Sequence, residues 1–306
     1  MKNYITGGGV AGLVSAFYNK DYKMITDKIG GWQNLNKFQL GPRLLEVNNA
    51  TISFMNKLGF SNINTKEIHI GYMYEDDVIR SWPTDIFKIK YAYKTRELEE
   101  GQIHNSILSS GKKSFIVFDI DYDLILKRLE ELVLDRIFMG KIIKIDTDKC
   151  LINYKDGNFD VTSEYDNLIN TLPATLFQKL SNLIDLEEHD FTAFHTTFFK
   201  CDYNDYLRKI KNELNLDYIY SISSTHWHRC NFFDHYVVFE VKGKTDILMD
   251  NYSVLDKVTL PFAQIKFSYN DCNTTKHNIK HIGRFAQWNH SIKMEQLIER
   301  FEKQNG

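Results

Sequence analysis

The sequence predicts an α/β protein with a parallel sheet near its N-terminus. Three observations carry this. A short strand, Tyr4-Ile5-Thr6, runs into Gly7-x-Gly9-x-x-Gly12 and then into a helix with an apolar side. A second strand, residues 22–26, follows closely and ends at an acid, Asp27. The 306 residues are 43% hydrophobic and 25% charged, which suits one large or two interleaved globular domains.

Composition also excludes several classes. A net charge of −2 provides no global basic field for nucleic acid or an anionic membrane. Cys150, Cys201, Cys230 and Cys272 lie far apart without a C-x-x-C pair, which argues against a zinc ribbon or disulfide scaffold. No stretch approaches the ~18 apolar residues of a membrane span. No signal peptide precedes the glycine strand, so a cytoplasmic location is expected.

Each element follows in order. Residues 3–6 read as a strand and 10–19 as a helix with Val10, Leu13, Val14 and Phe17 on one side. Between them, Gly7 allows a tight turn and Gly9 lets the backbone approach a pyrophosphate. Gly12 lets the helix pack on the strand, and the N–H groups at Val10 and Ala11 open the helix toward phosphates. Asp27 lies about 20 residues beyond Gly7, where an acid can bind a ribose hydroxyl; a solvated turn is the other reading. Lys28-Ile29-Gly30-Gly31-Trp32-Gln33 adds a second glycine pair. Phe38-Gln39-Leu40-Gly41-Pro42-Arg43 then leads into a helix ending at Gly59.

Residues 67–82 alternate as two short strands, the second carrying Arg80 and Trp82. Residues 84–114 read as helix plus loop, with Lys94, Arg96, Glu97, Glu99 and Glu100 as a solvated face. Asp119, Asp121, Asp123 and Glu130 imitate a calcium loop, but Leu124 stands where that loop needs glycine. Helix N-capping by Asp121 is the better account, with a helix over 124–134. One strand is expected over 136–145, and a hairpin over 149–162 through Asp156-Gly157. Tyr165-Asp166-Asn167-Leu168-Ile169-Asn170-Thr171-Leu172-Pro173 reads as a buried strand that ends at proline.

Helix and acidic loop are expected over 175–190. Strands over 191–200, 217–223 and 236–241 build an antiparallel sheet. Between the last two lie His226, His228 and Cys230, which lack a fourth ligand at convincing spacing, so no metal is expected. Arg229, with Tyr218 and Tyr220, reads either as a face toward an anionic or ring-shaped substrate or as a surface arginine at a sheet edge. A strand through Ile282, then Gly283-Arg284-Phe285 and Trp288, precedes a helix over 291–302 that opens with Ser291 and Ile292.

The glycine strand, the Gly30-Gly31 pair, the YD-x-L-I-x-T-L-P strand and the late Gly283-Arg284 occur in the order found in flavoproteins. The chain resembles the FAD-dependent amine-oxidase and UDP-galactopyranose mutase family from Gly7 to Ile298. The resemblance implies a discontinuous Rossmann-like FAD-binding domain (GR2-type) from residues 1–45, 135–175 and 270–306. It implies an inserted α+β substrate domain with an antiparallel sheet from 46–134 and 176–269. The FAD contacts it implies are Gly7, Gly9, Val10, Ala11, Gly12, Asp27, Lys28, Gly30, Gly31, Trp32, Gly41, Pro42 and Arg43. They continue with Ile143 at the adenine, Thr171, Leu172, Pro173, Gly283, Arg284, Trp288, Ser291 and Ile292. Arg43 stands where the mutases usually carry histidine.

Flavin N5 is the expected reacting atom, with Arg43, Trp82 and Arg229 as candidates beside it. Arg80, Trp82, Tyr218, Tyr220 and Arg229 are the substrate candidates. The first functional reading is a mutase-like enzyme that works on a nucleotide sugar through reduced flavin, with arginines clamping the diphosphate. The second is an amine-oxidase type that passes hydride to flavin from a small molecule or a modified nucleobase. The third is a flavin-binding protein without turnover.

Overall fold

A computed structural model gives the fold. It describes residues 1–31, 38–40, 44–98, 114–181, 183, 192–246, 252–266, 278–289 and 292–305. In chain order the first elements are β1 (Asn3–Gly8), α1 (Val10–Tyr18), β2 (Tyr22–Ile29), α2 (Asn49–Lys57), β3 (Thr65–Met73), β4 (Ile79–Arg80) and α3 (Asp85–Arg96). The middle of the chain forms β5 (Ser114–Phe118), α4 (Tyr122–Val133), β6 (Ile137–Met139), β7 (Lys141–Asp146), β8 (Leu151–Asp156), β9 (Phe159–Glu164), β10 (Asn167–Asn170) and α5 (Ala174–Leu180). The rest forms β11 (Ala193–Cys201), α6 (Asp205–Leu214), β12 (Tyr218–Ser221), β13 (Trp227–Phe232), β14 (Val237–Lys242), β15 (Val254–Ile265), β16 (Ile279–His281) and α7 (Met294–Asn305).

Five strands form a wholly parallel sheet in the order β16-β10-β1-β2-β6. The chain starts in the middle with β1, moves outward through β2 and β6, and returns to the other side of β1 with β10. That reversal between β1 and β10 is a topological switch point, the place where open α/β sheets bind ligands. One face of the sheet is covered by α1, α2, α4 and α7 through Ile5, Leu13, Phe54, Leu129, Ile298 and Phe301. Helices α2 and α4 come from the segment expected on the substrate side, yet they share this core.

Both helices are fixed at their starts by local chemistry. Asn48 caps α2 in a capping box with Thr51. Asp121 caps α4 by accepting from the Asp123 N–H at 2.9 Å.

The strand expected over 136–145 is two strands in two sheets. Gly140 ends β6 with its N–H donated to the Thr26 carbonyl, and a Cβ there would lie 2.5 Å from the Tyr154 ring. The chain then enters an antiparallel sheet, β7-β8-β9, turning at Gly157 with φ +59°. This small sheet and α5 cover the other face of the parallel sheet through Ile25, Ile152, Leu168 and Phe177.

The largest sheet has the order β15-β11-β14-β13-β12-β3-β4, with β5 also on β3. It is mixed, where an antiparallel sheet was expected: β12 and β3 run parallel, Tyr218 opposite Ile70 and Tyr220 opposite Tyr72. The reason is connectivity, because these neighbours come from two distant segments and not from a hairpin. Helix α6, which the sequence reading passed over, packs Leu207 and Ile210 on one face. The other face carries Tyr72, Tyr218 and Tyr220 beside Phe87, and Phe198 and Val238 beside Phe38 and Leu40. Among the described residues, no helix is long and apolar enough to cross a membrane.

A polar row crosses the parallel sheet. Thr6, Asn170 and His281 stand in register on β1, β10 and β16. Thr6 Oγ1 donates to Asn170 Oδ1 at 3.1 Å, and Asn170 Nδ2 lies 3.0 Å from His281 Nδ1. Burial pulls the His281 imidazole from its ordinary 6.5 down to about 4. The unfolded chain therefore binds a proton that the folded chain refuses between those values, and stability rises with pH across that window. We expect about 3 kcal/mol of stability to be lost on acidification from pH 6.5 to 4. Urea melts at stepped pH should show this slope, and His281→Asn should flatten it; an unchanged slope in the variant would refute the assignment.

Candidate functional site

The site starts from what glycine lacks. Gly7 ends the regular part of β1 with φ +96°. A Cβ at Gly12 would lie 2.0 Å from the Gly7 carbonyl oxygen, so only glycine lets α1 sit this close to β1. Gly8, not assigned a role from sequence, is equally tight: its Cβ would meet the Lys28 carbonyl at 2.6 Å. Gly9 differs, since a Cβ there meets nothing within 4 Å. Gly9 is also the N-cap of α1, with no side-chain cap and no acid in the first turn. The helix thus presents uncapped N–H groups beside an open backbone, the arrangement that receives an anion.

Three distant segments close around this turn. Gly30 donates its N–H to the Gly8 carbonyl at 2.8 Å, and a Cβ on Gly31 would lie 3.2 Å from Gly9 Cα. Thr171 Oγ1 donates to the carbonyls of Thr6 (2.7 Å) and Gly7 (3.0 Å). Leu172 lies against Gly7, and Pro173 caps α5. Gly283, at φ +105°, lies so close to α1 that a Cβ would stand 2.6 Å from Ala11 Cβ. The Ala174 N–H reaches the Phe285 carbonyl at 2.9 Å. Four motifs spread from Gly7 to Arg284 therefore meet at the β1/β10 switch point.

Other expected contacts stand at varied distances from this turn. Asp27 is exposed on β2, which runs past it to Ile29, and Lys28 is partly exposed beside it. Ile143 is the bulged residue of β7, left out of the β8 ladder, with a largely solvent-facing side chain. Trp288 is fully buried, packed with Ala174 and Ile265. Arg284 donates from Nε to the Ile292 carbonyl at 3.2 Å. Burial lowers its pKa, and the nearby Arg229 charge lowers it further. Trp32, Gly41, Pro42, Arg43 and Ser291 lie outside the described residues, although Leu40 and Leu44 on either side of 41–43 both pack on the large sheet.

Arg229, on the tyrosine face of that sheet, lies within electrostatic reach of Arg284. Arg80, Tyr72, Tyr220, Arg229 and Glu240 form one cross-strand row. The Tyr72 and Tyr220 rings stack at 5.8 Å, and Arg229 lies over Tyr220 at 5.9 Å. Arg229 is bound by Glu240 through Nε at 2.5 Å and also through Nη2. Asn231 Nδ2 donates to the same carboxylate at 3.0 Å, and His228 Nε2 lies 3.7 Å from it. Tyr91 on α3 packs edge-on against Tyr220 and His228.

The electrostatics follow from this packing. Burial opposes the charge on Glu240, but Arg229 and His228 hold its carboxyl below the usual range. Burial likewise opposes the Arg229 charge, and Glu240 more than offsets it. His228 is lowered by burial in spite of Glu240. Tyr91 and Tyr218 are pushed well up, burial first.

The structure separates some residues that the sequence grouped. Arg80 sits on the edge strand β4, paired with Asp76 at 2.9 Å and lying over Tyr74, three strand spacings or about 14 Å from Arg229. Trp82 is 60% exposed. Neither joins Arg229. His226 is exposed, while a bulge at His228 turns that ring to Glu240 and Cys230 enters the opposite core.

The expected solvated face at 94–97 is wrong for its inner side. Thr95 and Arg96 are buried, and Lys94 Nζ donates to the carbonyls of Ser223 and Thr225. Burial pulls Lys94 down to about 8. Glu240 was also missed, although a lone acid in the apolar strand Val237-Val238-Phe239-Glu240-Val241 is a readable signal.

No protein-family model matches the chain, and no curated protein matches it. Solved structures do. The crystal structure of reduced UDP-galactopyranose mutase superposes with a TM-score of 0.70 at 12% identity, covering 98% of this chain and 93% of that one. A fatty acid isomerase from P. acnes matches at 0.67 and 11%, covering 99% and 97%. Cyclohexylamine oxidase from Brevibacterium oxydans matches at 0.66 and 9%, covering 99% and 97%. The chain has the fold of the amine-oxidase and mutase flavoproteins that its motifs resemble.

Three substitutions test the packing and its charges. Gly12→Ala forces a methyl onto a backbone oxygen and should cost about 3 kcal/mol, seen as a Tm roughly 5 °C lower. Gly9→Ala should leave Tm of the ligand-free protein within about 2 °C of wild type. Glu240→Gln leaves Arg229 without its counter-charge and should cost about 2–3 kcal/mol by denaturant melts. That is less than a fully buried pair, because Arg229 keeps 28% of its side chain exposed.

Proposed function

We propose that the chain is an FAD-dependent enzyme whose cofactor lies across the β1/β10 switch point. The observation that carries this is Gly9: everything around it is packed to contact, and it alone opens at an uncapped helix start. A dinucleotide fits the residues present. The N–H groups at Val10, Ala11 and Gly12 would hold the phosphates, Asp27 the ribose, and the bulged Ile143 backbone the adenine. Gly30, Gly31, Thr171, Leu172, Pro173, Gly283 and Arg284 would line the remainder. We further propose a two-part division close to the expected boundaries, with α2 and α4 on the cofactor side.

Bound flavin would supply redox or nucleophilic chemistry that side chains lack. The chain's own residues bind, orient and exclude water. The stacked Tyr72 and Tyr220 offer a flat wall, and Glu240 holds the Arg229 guanidinium in one orientation above it. The substrate reading we favour is nucleotide-sugar-like, handled through reduced flavin, with Arg229 toward the diphosphate. The likeness to the mutase and this arginine support it. A second reading, an amine-oxidase type, is supported by the tyrosine wall and the likeness to cyclohexylamine oxidase.

The test begins with colour. Gently purified protein should carry FAD, and Gly9→Val should lose it while keeping a wild-type circular dichroism spectrum; colourless wild type that refuses added FAD ends the proposal. Reducing the holoprotein with dithionite and admitting air then separates the two readings. Conversion of a UDP-sugar only in the reduced state supports the first. Hydrogen peroxide release stimulated by an amine supports the second and sinks the first.

A further inference from the structure

Helix α3 carries a charge that the cofactor reading does not use. Its last residue, Arg96, is 6% exposed. The chain around it is pinned on both sides. Lys94 is anchored to the Ser223 and Thr225 carbonyls at 2.9 and 2.8 Å. Glu97 closes the helix in the left-handed region at φ +58°, and its carboxylate turns outward to Lys242 at 2.6 Å. Arg96 is thus held inward by its neighbours.

Among the described residues, no carboxylate or hydrogen-bond acceptor partners its guanidinium. Its electrostatic neighbours are the Tyr91 phenol and a second cation, Arg284. The nearby carboxylates are engaged: Glu97 by Lys242, Glu240 by Arg229 and Asn231, and Glu295, whose charge reaches Arg284 and not Arg96, by the Glu46 N–H at 3.2 Å. Among the described residues, Arg284 donates only through Nε, to the Ile292 carbonyl. Arginine does not lose its proton, and a buried charge without a partner costs several kcal/mol. Arg96, with a second cation as its neighbour, is arranged for an anion that arrives from outside the chain.

Position decides whose anion it is. Arg284 follows Gly283, which touches Ala11 at the start of α1, so it belongs with the cofactor phosphates. Arg96 belongs to α3, whose Tyr91 packs on Tyr220 and His228. We propose that Arg96 is a substrate receptor, taking a phosphate or carboxylate group at the Tyr91 end of the tyrosine face. The planar fork of arginine suits either group in a bidentate grip. This rests on reading that face as the substrate space. It makes the substrate anionic at one end, so a simple monoamine does not satisfy the site.

The test uses full-length protein saturated with FAD, so that the glycine turn is filled. Inorganic pyrophosphate and decanoate are titrated separately, following Tm and the flavin absorbance difference. One of them should raise the wild-type Tm, and which one does tells phosphate from carboxylate. Arg96→Gln should weaken that anion at least tenfold and Arg96→Lys less, while Arg208→Gln on the exposed face of α6 matches wild type. FAD content should be the same in all four proteins. Equal affinity in Arg96→Gln and wild type overturns the proposal, as does the absence of any shift with both anions. Loss of FAD from Arg96→Gln also overturns it, because the charge then serves the cofactor. If Arg96→Gln does not fold, Arg96→Lys decides: an at least threefold weaker affinity upholds the receptor and an unchanged one refutes it. If the wild type takes up no FAD, the cofactor reading fails separately. The titration is then made on ligand-free protein, where the difference between wild type and Arg96→Gln must persist.

Discussion

Everything at the switch point depends on one close approach, that of Gly12 to the Gly7 carbonyl. A single methyl at Gly12 would stand 2.0 Å from that oxygen. Because it is absent, α1 lies on β1 and its first N–H groups face the end of the strand. Thr171 can then reach the Thr6 and Gly7 carbonyls from β10, and Gly283 can settle against Ala11. Push α1 outward and the Gly283 contact with Ala11 opens. The cradle is thus a packing property of four segments, and its stiffness comes from backbone atoms that have no rotamers to give.

The large mixed sheet rests on a different constraint. Its strands cross from one segment of the chain to another, and its face is held by Glu240, which organises Arg229, Asn231 and His228. A carboxylate in a buried setting is stable only with such partners. Arg229 is therefore oriented before any ligand comes, and little rotamer freedom remains to be lost on binding. The same pairing removes much of its charge, so Arg229 directs a ligand more than it attracts one. Attraction falls more to Arg96, which has no carboxylate near it among the described residues, and to Arg284, whose nearest acid, Glu295, is itself tied to the Glu46 N–H.

How much of this was legible depends on the range of the cause. Gly7, Gly9 and Gly12, the Asp121 cap and the Gly157 turn are set by residues a few positions apart, and the sequence shows them. The order of the flavoprotein motifs was readable too, because each is a short strand-end pattern. The parallel β3–β12 pairing was not, since nothing local couples residue 72 to residue 220. The split at Gly140 was hidden because one apolar run feeds two sheets. Arg80 and Arg229 looked equivalent as arginines on strands, but an edge position and a Glu240 partner give them different work. Arg96 was misread because a charge run on a helix is usually solvated, and only the packing of α3 shows which of its charges turn inward.

The two halves are joined by charge as well as by chain. Arg284 follows the Gly283 that packs on α1, Arg96 and Arg229 belong to the tyrosine face, and Arg284 feels the charge of each of the others. Like charges brought together in a buried setting oppose folding, and one carboxylate pair at Glu240 offsets only part of that. A bound anion therefore adds stability beyond its own contacts, since it also removes the repulsion between its receptors. Cofactor phosphates near Arg284 would relieve Arg96, and an anionic substrate on Arg96 would relieve Arg284. By linkage each would tighten the other. Such coupling needs no moving part, only three arginines and a shared low-dielectric space. Because linkage is reciprocal, it would act in either order of binding.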